Sequence, residues 1–240
     1  INSFNDFRKV PIITKDDLRK SNWLFPCIAR SEWIDVSLTS GTTGAPAYLP
    51  WSEKDLGHLA NITYLLHTTA GIKKSDTVQI TYPIGEGMWI AGLHNWLGLC
   101  KVGACSLRFG PGFSDAQLEN MRRLKPTVLL GSPSFLLKLG LLARKKGILR
   151  EIKPRLICVS GQNILNNNLK KNNLGKKLEY AWGGTTVRAV YGASEGPICG
   201  VECSKKQGYH IPAEYFYLEI VDPLTHEPLE AGREGMLVIT

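Results

Sequence analysis

The sequence predicts an α/β fold of layered mixed sheets flanked by helices, with a small β-rich subdomain at the C-terminal end. Three observations predict it. Strand-like runs alternate with helix-like runs through most of the chain. Several helix starts carry side chains able to accept a bond from a free first-turn amide. After Tyr191 the pattern changes to short β-type runs separated by turns. The expected division is an α/β core over residues 1–195 and a β-rich subdomain of the same large domain over 196–240.

In chain order, Thr14 with Asp17 and Ser52 with Asp55 mark the first two helix starts. Residues 77–81 and 103–109 are β-branched or apolar runs and are expected as strands. Ser114 with Gln117 marks a third helix start, followed by strands at 127–130, 155–159 and 187–191. The run 215–221, the turn-forming Asp222-Pro223 and residues 235–240 make the β-rich tail.

Composition limits the function classes. The 240 residues are 43% hydrophobic and 21% charged, enough for a sizeable core. Glycine (24) and proline (13) are too few for a fibrous chain. The longest apolar stretch, 87–100, is broken by His94 and Asn95 and is shorter than the roughly 20 residues that cross a bilayer. The first residues have no basic start, no apolar signal core and no initiator Met, so a longer parent chain is expected. Six cysteines are too sparse for a disulfide scaffold, which makes a reducing cytoplasm the expected location. A net charge of +8 favours an anionic ligand. The pairs Lys145-Lys146, Lys170-Lys171 and Lys176-Lys177 lack interleaved aromatics and are expected on solvated faces rather than in a nucleic-acid patch.

The stretch Thr39-Ser40-Gly41-Thr42-Thr43-Gly44-Ala45-Pro46 carries the most chemistry. Two glycines let the backbone approach a ligand, so successive amides can converge on phosphate oxygens while four hydroxyls add donors. Hydrogen bonds to charged groups contribute roughly 1.5–3 kcal/mol each. The glycine spacing differs from a Walker loop and no Gly-Lys-Ser/Thr follows, which disfavours a kinase or GTPase.

This run resembles the phosphate-binding signature of the acyl-adenylate-forming enzymes, the superfamily of acyl-CoA synthetases, peptide-synthetase adenylation domains and luciferases. Tyr191-Gly192-Ala193-Ser194-Glu195 resembles a second signature of that family, and residues 232–240 resemble its Gly-x-x-Gly-x-Leu-x-x-Thr strand. Residues 10–18, 131–137, 208–210 and 219–223 are similar to the phenylacetate-CoA ligase-like branch, so the resemblance spans residues 9–240. It implies the fold of that family's large N-terminal domain. The family's ribose-binding Asp, hinge and C-terminal lid with its catalytic Lys are expected to lie beyond Thr240.

The implied reaction joins a carboxylate to ATP, giving acyl-AMP and pyrophosphate, and then forms a thioester with coenzyme A. By the resemblance, Thr39, Ser40, Gly41, Thr42, Thr43 and Gly44 hold the β- and γ-phosphates, and Glu195 ligates Mg²⁺. Thr42 and Glu195 are the implied catalytic residues. Ser160-Gly161-Gln162 resembles a loop lining the adenine, with Gln162 where an acid is common in relatives. Tyr191, Gly192, Ala193 and Ser194 are implied at the junction of adenine and acyl group.

Tyr82, Pro83 and Ile84 match by position a loop that lines the acid pocket in relatives, and aromatic and apolar walls suit an aryl or other hydrophobic acid. Trp89, His94 and Trp96 recur at helical spacing, which favours core packing. Cys199, Cys203 and His210 offer three ligands for a structural Zn²⁺, and buried free cysteines in a β subdomain are the competing reading. The expected partners are a small-molecule carboxylic acid, ATP and coenzyme A, with a homodimer also compatible and neither nucleic acid nor membrane. Alternatives are an acyl-protein synthetase, which passes the acyl group to a protein thiol, and a nucleotide-binding domain that has lost catalysis.

Overall fold

A computed structural model describes residue 6 and residues 10–39, 45–85, 87–193 and 198–240. Its centre is a seven-stranded sheet in the order β4-β3-β5-β6-β7-β8-β9. The strands are β3 (Thr77–Ile80), β4 (Cys105–Arg108), β5 (Val128–Gly131), β6 (Leu156–Val159), β7 (Thr186–Gly192), β8 (Ile198–Glu202) and β9 (Tyr209–His210). The first five in that spatial order run parallel, and β8 and β9 extend the sheet antiparallel beyond β7. Every residue of β5 and β6 is buried. Parallel strands covered on both faces are continuously apolar for this reason, which made them legible in the sequence.

One face is covered by α2 (Glu53–Thr69) and α3 (Ile90–Val102), where Ile62, Leu66 and Leu99 pack on Val78, Ile80 and Leu130. The other face is covered by α4 (Ser114–Leu124), α5 (Pro133–Lys145) and α7 (Asn173–Ala181), where Leu118, Leu136, Leu139 and Trp182 pack on Leu129 and Ile157. The short helix α6 (Leu149–Ile152) joins the second layer, where Ile152 is buried with Leu118 and Leu139, and α1 (Lys15–Lys20) has no buried residue. Two antiparallel hairpins complete the fold: β1 (Asp35–Leu38) with β2 (Tyr48–Trp51), and β10 (Leu218–Val221) with β11 (Met236–Ile239).

The capping expectations hold at two helices. Thr14 and Asp17, and Ser52 and Asp55, form reciprocal capping boxes. The third differs. Phe113, in the left-handed region at φ 42°, precedes α4, so Ser114 is already helical. Gln117 is turned into the core, donating through Nε2 to the Gly110 and Gly112 carbonyls and accepting from Gln79 Nε2 at 2.7 Å. The lysine pairs also divide. Lys171 is not on a solvated face: its ammonium meets Glu202 at 2.8 Å with side-chain exposures of 10% and 1%.

Candidate active site

Five loops leave the sheet at the carboxyl ends of its parallel strands. The phenol of Tyr82, just after β3, joins three of them. Its O–H donates to the Gly131 carbonyl at the end of β5 (2.8 Å), and it accepts the Ser160 amide just after β6 (2.8 Å). A phenol has one proton, so with that proton on Gly131 the Ser160 hydroxyl, 2.7 Å away, donates to Tyr82. Burial pushes the Tyr82 phenol well above its ordinary pKa, and the hydrogen bonds from Ser160 oppose this only in part. The missing side chain of Gly131 makes room for the neighbouring Thr81, whose hydroxyl donates to the Leu130 carbonyl at 2.9 Å: a Cβ there would fall 1.9 Å from Thr81 Oγ1.

Behind Tyr82 and Ser160 lies a cavity of about 20 Å³, lined also by His67, Asn95 and Cys158. It has room for a single water and none for an aryl ring. Burial pushes the Cys158 thiol up to about 12, so it is no nucleophile at neutral pH.

The β1–β2 hairpin carries the stem of the hydroxyl-and-glycine loop. Thr39 is buried; its amide donates to the Ala47 carbonyl (3.1 Å) and its Oγ1 accepts the Ala47 amide (3.0 Å). The Thr39 side chain therefore clamps the two ends of the loop together. The Leu38 amide donates to the Met88 carbonyl at 2.9 Å, fixing this stem against the segment that follows Tyr82. Ser40, Gly41, Thr42, Thr43 and Gly44 lie outside the described residues, as do Ser194 and Glu195.

At β7, Tyr191 is exposed, with its ring 6.1 Å from that of Tyr209, and the β7–β8 register shifts between Tyr191 and Gly192. Ala193 faces a groove of about 660 Å³ between residues 10–14 and the β10–β11 hairpin. Gly161 is in the left-handed region at φ 87°. The Gln162 side-chain oxygen accepts the Ser134 amide (3.1 Å) and hydroxyl (2.6 Å), which satisfies a free donor in the first turn of α5. This carbonyl is engaged with the helix, a role that the comparison with an acidic residue did not suggest.

Two expectations are corrected. Cys199, Cys203 and His210 do not form a zinc site: among the described residues no three His, Cys, Asp or Glu side chains are grouped to hold a metal. Strand geometry gives the reason. At about 3.3 Å per residue, the three steps along β8 from Cys199 to Glu202 alone cover roughly 10 Å, and Cys203 follows directly, so the two sulfurs are not brought within the reach of two metal–sulfur bonds of about 2.3 Å. Cys199 is buried and Cys203 accepts the Lys205 amide through its sulfur. The second correction is Trp89, which is 46% exposed at the start of α3, whereas His94 is buried and Trp96 packs at the core's edge beneath Arg108. Among the described residues no helix is long and apolar enough to cross a membrane.

A sheet of five parallel strands, covered on both faces and with its loops converging at the carboxyl edge, defines an α/β fold of the class in which ligands bind at that edge. Comparison gives the family. A model of the AMP-binding enzyme family matches residues 26–240, and the chain belongs to that family. Phenylacetate-coenzyme A ligases of Pseudomonas putida and Escherichia coli (strain K12) are each 30% identical to it over 98% of its length. The chain spans about half the length of these curated relatives, 53% in both cases. The fold is also that of an open conformation of 2-hydroxyisobutyryl-CoA ligase in complex with 2-HIB-AMP and CoA: TM-score 0.87, 23% identity, 100% of this chain and 56% of that one. A benzoate CoA ligase from Burkholderia xenovorans LB400 aligns over 89% of this chain and 41% of its own, with TM-score 0.64 and 16% identity.

Proposed function

We propose that this chain is the nucleotide-binding part of an AMP-forming acid–thiol ligase. A carboxylate oxygen attacks the α-phosphorus of ATP and pyrophosphate leaves; the thiol of coenzyme A then attacks the acyl carbonyl and AMP leaves. A carboxylate is a poor electrophile, so the protein's task is to position the reactants and offset phosphate charge. The observation that carries this reading is the Tyr82 tie to Gly131 and Ser160, which gathers the loops after β3, β5 and β6 at one carboxyl edge. The family match and the ligase relatives support it.

In this reading residues 40–44 hold the β- and γ-phosphates, while Thr39, implied by the resemblance as a phosphate ligand, is buried and instead clamps the loop ends together. Ser160, Gly161 and Gln162 form one wall of the nucleotide site, and Tyr191 to Ser194 form the other. Glu195 would hold Mg²⁺, a cation that prefers carboxylate and phosphate oxygens, and the metal when bound would supply positive charge against that of pyrophosphate. Tyr82, Pro83 and Ile84 border the acid, for which the relatives' names suggest an aryl or other hydrophobic carboxylate. Those names likewise favour coenzyme A over a protein thiol as acceptor.

The test is carboxylate-dependent exchange of pyrophosphate into ATP by the intact protein, with Glu195→Gln and Thr42→Ala beside it. Exchange with an aryl or hydrophobic acid, lowered at least tenfold in both variants, is expected. No exchange across a broad panel of acids, or undiminished exchange in both variants, rejects the reading.

A further inference from the structure

We infer that the buried Lys171–Glu202 pair is a positioning device that fixes the spacing between the loop after β6 and the end of β7. These are the two walls assigned above to the nucleotide, and the inference rests on that assignment. Lys171 Nζ lies 2.8 Å from Glu202 Oε2, and the same oxygen accepts the Ala189 amide at 2.6 Å. Ala189 is the last β7 residue paired with β6, opposite Val159, and the next residue, Val190, pairs with Val201 of β8. The carboxylate therefore sits where β7 changes partners. Just beyond, the register shifts between Tyr191 and Gly192, and such irregularities re-aim the side chains around them.

Lys171 belongs to the other wall. It forms a β-bridge with Leu165, and its neighbour Asn172 donates through Nδ2 to the Asn163 carbonyl (2.9 Å) and through its amide to the Ile164 carbonyl (2.9 Å). The segment following Gln162 is thereby closed into a loop that ends at the ammonium. Gly175, in the first turn of α7, lets the helix lie on this loop: a Cβ there would be 2.6 Å from the Ile164 carbonyl oxygen and 3.1 Å from Lys171 Cδ.

Stability does not account for the pair. Desolvating two charges is costly, and well-packed apolar residues of similar volume often serve equally well. Glu202 Oε1 is moreover buried without a partner among the described residues. What the charges add is a directional tie between two segments that lie 31 positions apart in the chain.

The test uses the intact protein and the variants Lys171→Met, Glu202→Gln and the double variant K171M/E202L. It reads ATP binding by calorimetry, the KM for ATP and for the acid in pyrophosphate exchange, and the thermal midpoint. All three variants are expected to bind ATP at least tenfold more weakly, with the KM for the acid changed less than twofold. The double variant is expected to recover most of the wild-type midpoint, because it leaves no buried charge unpaired, while its ATP affinity stays low. Wild-type ATP binding in the double variant overturns the inference, as does a parallel change of ATP affinity, acid KM and midpoint in every variant. Wild-type protein that binds no ATP rejects the nucleotide reading and the inference together; wild-type binding with unaltered variants rejects the inference alone.

Discussion

The Asp76 carboxylate and the Arg155 guanidinium form a two-point ion pair across the amino-terminal ends of β3 and β6. Arg155 Nε lies 2.9 Å from Asp76 Oδ1, and the terminal nitrogen Nη2 bonds Oδ2. Thr127, preceding β5 between them, donates its hydroxyl to Oδ1 at 2.6 Å, and the Lys73 amide donates to Oδ2 at 2.8 Å. One carboxylate thus gathers three parallel strands at the end of the sheet remote from the candidate site.

This relationship predicts acid sensitivity. Burial raises the Asp76 pKa, but the hydrogen bonds from Arg155, Thr127 and Lys73 outweigh it, and the net shift is downward. A carboxyl whose folded pKa is depressed adds stability that is fully present above its unfolded value of about 3.9 and is lost as pH falls through the folded value. Asp76→Asn is expected to lower unfolding stability by roughly 2–3 kcal/mol at neutral pH, the scale of a charge-assisted hydrogen bond left unmade. The deficit should shrink in acid. Urea midpoints at neutral pH and below the carboxylate range check this, and equal deficits at both would refute it.

His94 gives the opposite prediction for a substitution. It lies in α3 and is buried, and neither ring nitrogen has a partner among the described residues. Burial, with the neighbouring His67 adding to it, pushes its pKa down to about 3; burial pushes His67 down to about 4, partly offset by the Asn95 carbonyl. Both rings are neutral in the fold, so stability is full above about pH 6.5 and falls as the unfolded chain takes up protons, down to the folded values. Each ring contributes a slope of about 1.4 kcal/mol per pH unit over that range. His94→Leu removes an unsatisfied polar group and is expected to raise stability by roughly 1–2 kcal/mol at neutral pH and by more at pH of about 5. A loss of stability at both pH values would show that the imidazole has a partner.

How far the sequence discloses the molecule depends on the range of the interaction. The capping boxes at Thr14 and Ser52 act within three residues, and the apolar runs of β5 and β6 reflect burial on both faces, so both were legible. Gln117 looked like part of a local cap, but its side-chain oxygen accepts from Gln79, 38 positions away, while its Nε2 donates to the Gly110 and Gly112 carbonyls. The motif loops were recognisable, yet the contact between Tyr82 and Ser160 spans 78 positions and carries no local signature. Glu202 ends an otherwise apolar or small run, 198–202, and an acid in such a strand was the one available sign of a buried partner. The cysteine spacing could not decide between a metal site and free cysteines because it counts residues, whereas an extended strand converts each residue into more than 3 Å of separation.

Tyr82→Phe tests the tie at the carboxyl edge. Removing the hydroxyl leaves the Gly131 carbonyl and the Ser160 amide without the partner they share. A buried polar group left unpaired costs about 1–3 kcal/mol, and that loss in the thermal or urea midpoint is expected. Because the phenol stays protonated throughout the neutral range, the loss should not vary with pH there. A variant as stable as wild type would mean that the three loops are held together by other contacts.

Gly92 makes the last prediction, because it sets how closely α3 lies beneath the segment that follows Tyr82. A Cβ at this position would fall 2.0 Å from the Pro83 carbonyl oxygen and 2.3 Å from Ile84 Cγ1, distances no relaxation of a side chain alone can absorb. Gly92→Ala must therefore push α3 away from residues 83–84, and overpacking of this kind costs about 1–3 kcal/mol. Gly57, in α2, is the matched control, since nothing lies within 4 Å of its missing Cβ. Gly57→Ala is expected to gain roughly 0.5–1 kcal/mol from helix propensity. If residues 83–84 border the acid, Gly92→Ala should also raise the KM for the carboxylate in pyrophosphate exchange while leaving that for ATP within twofold. Equal stability of the two alanine variants would contradict the close packing of α3, and a rise confined to the KM for ATP would move the acid away from this segment.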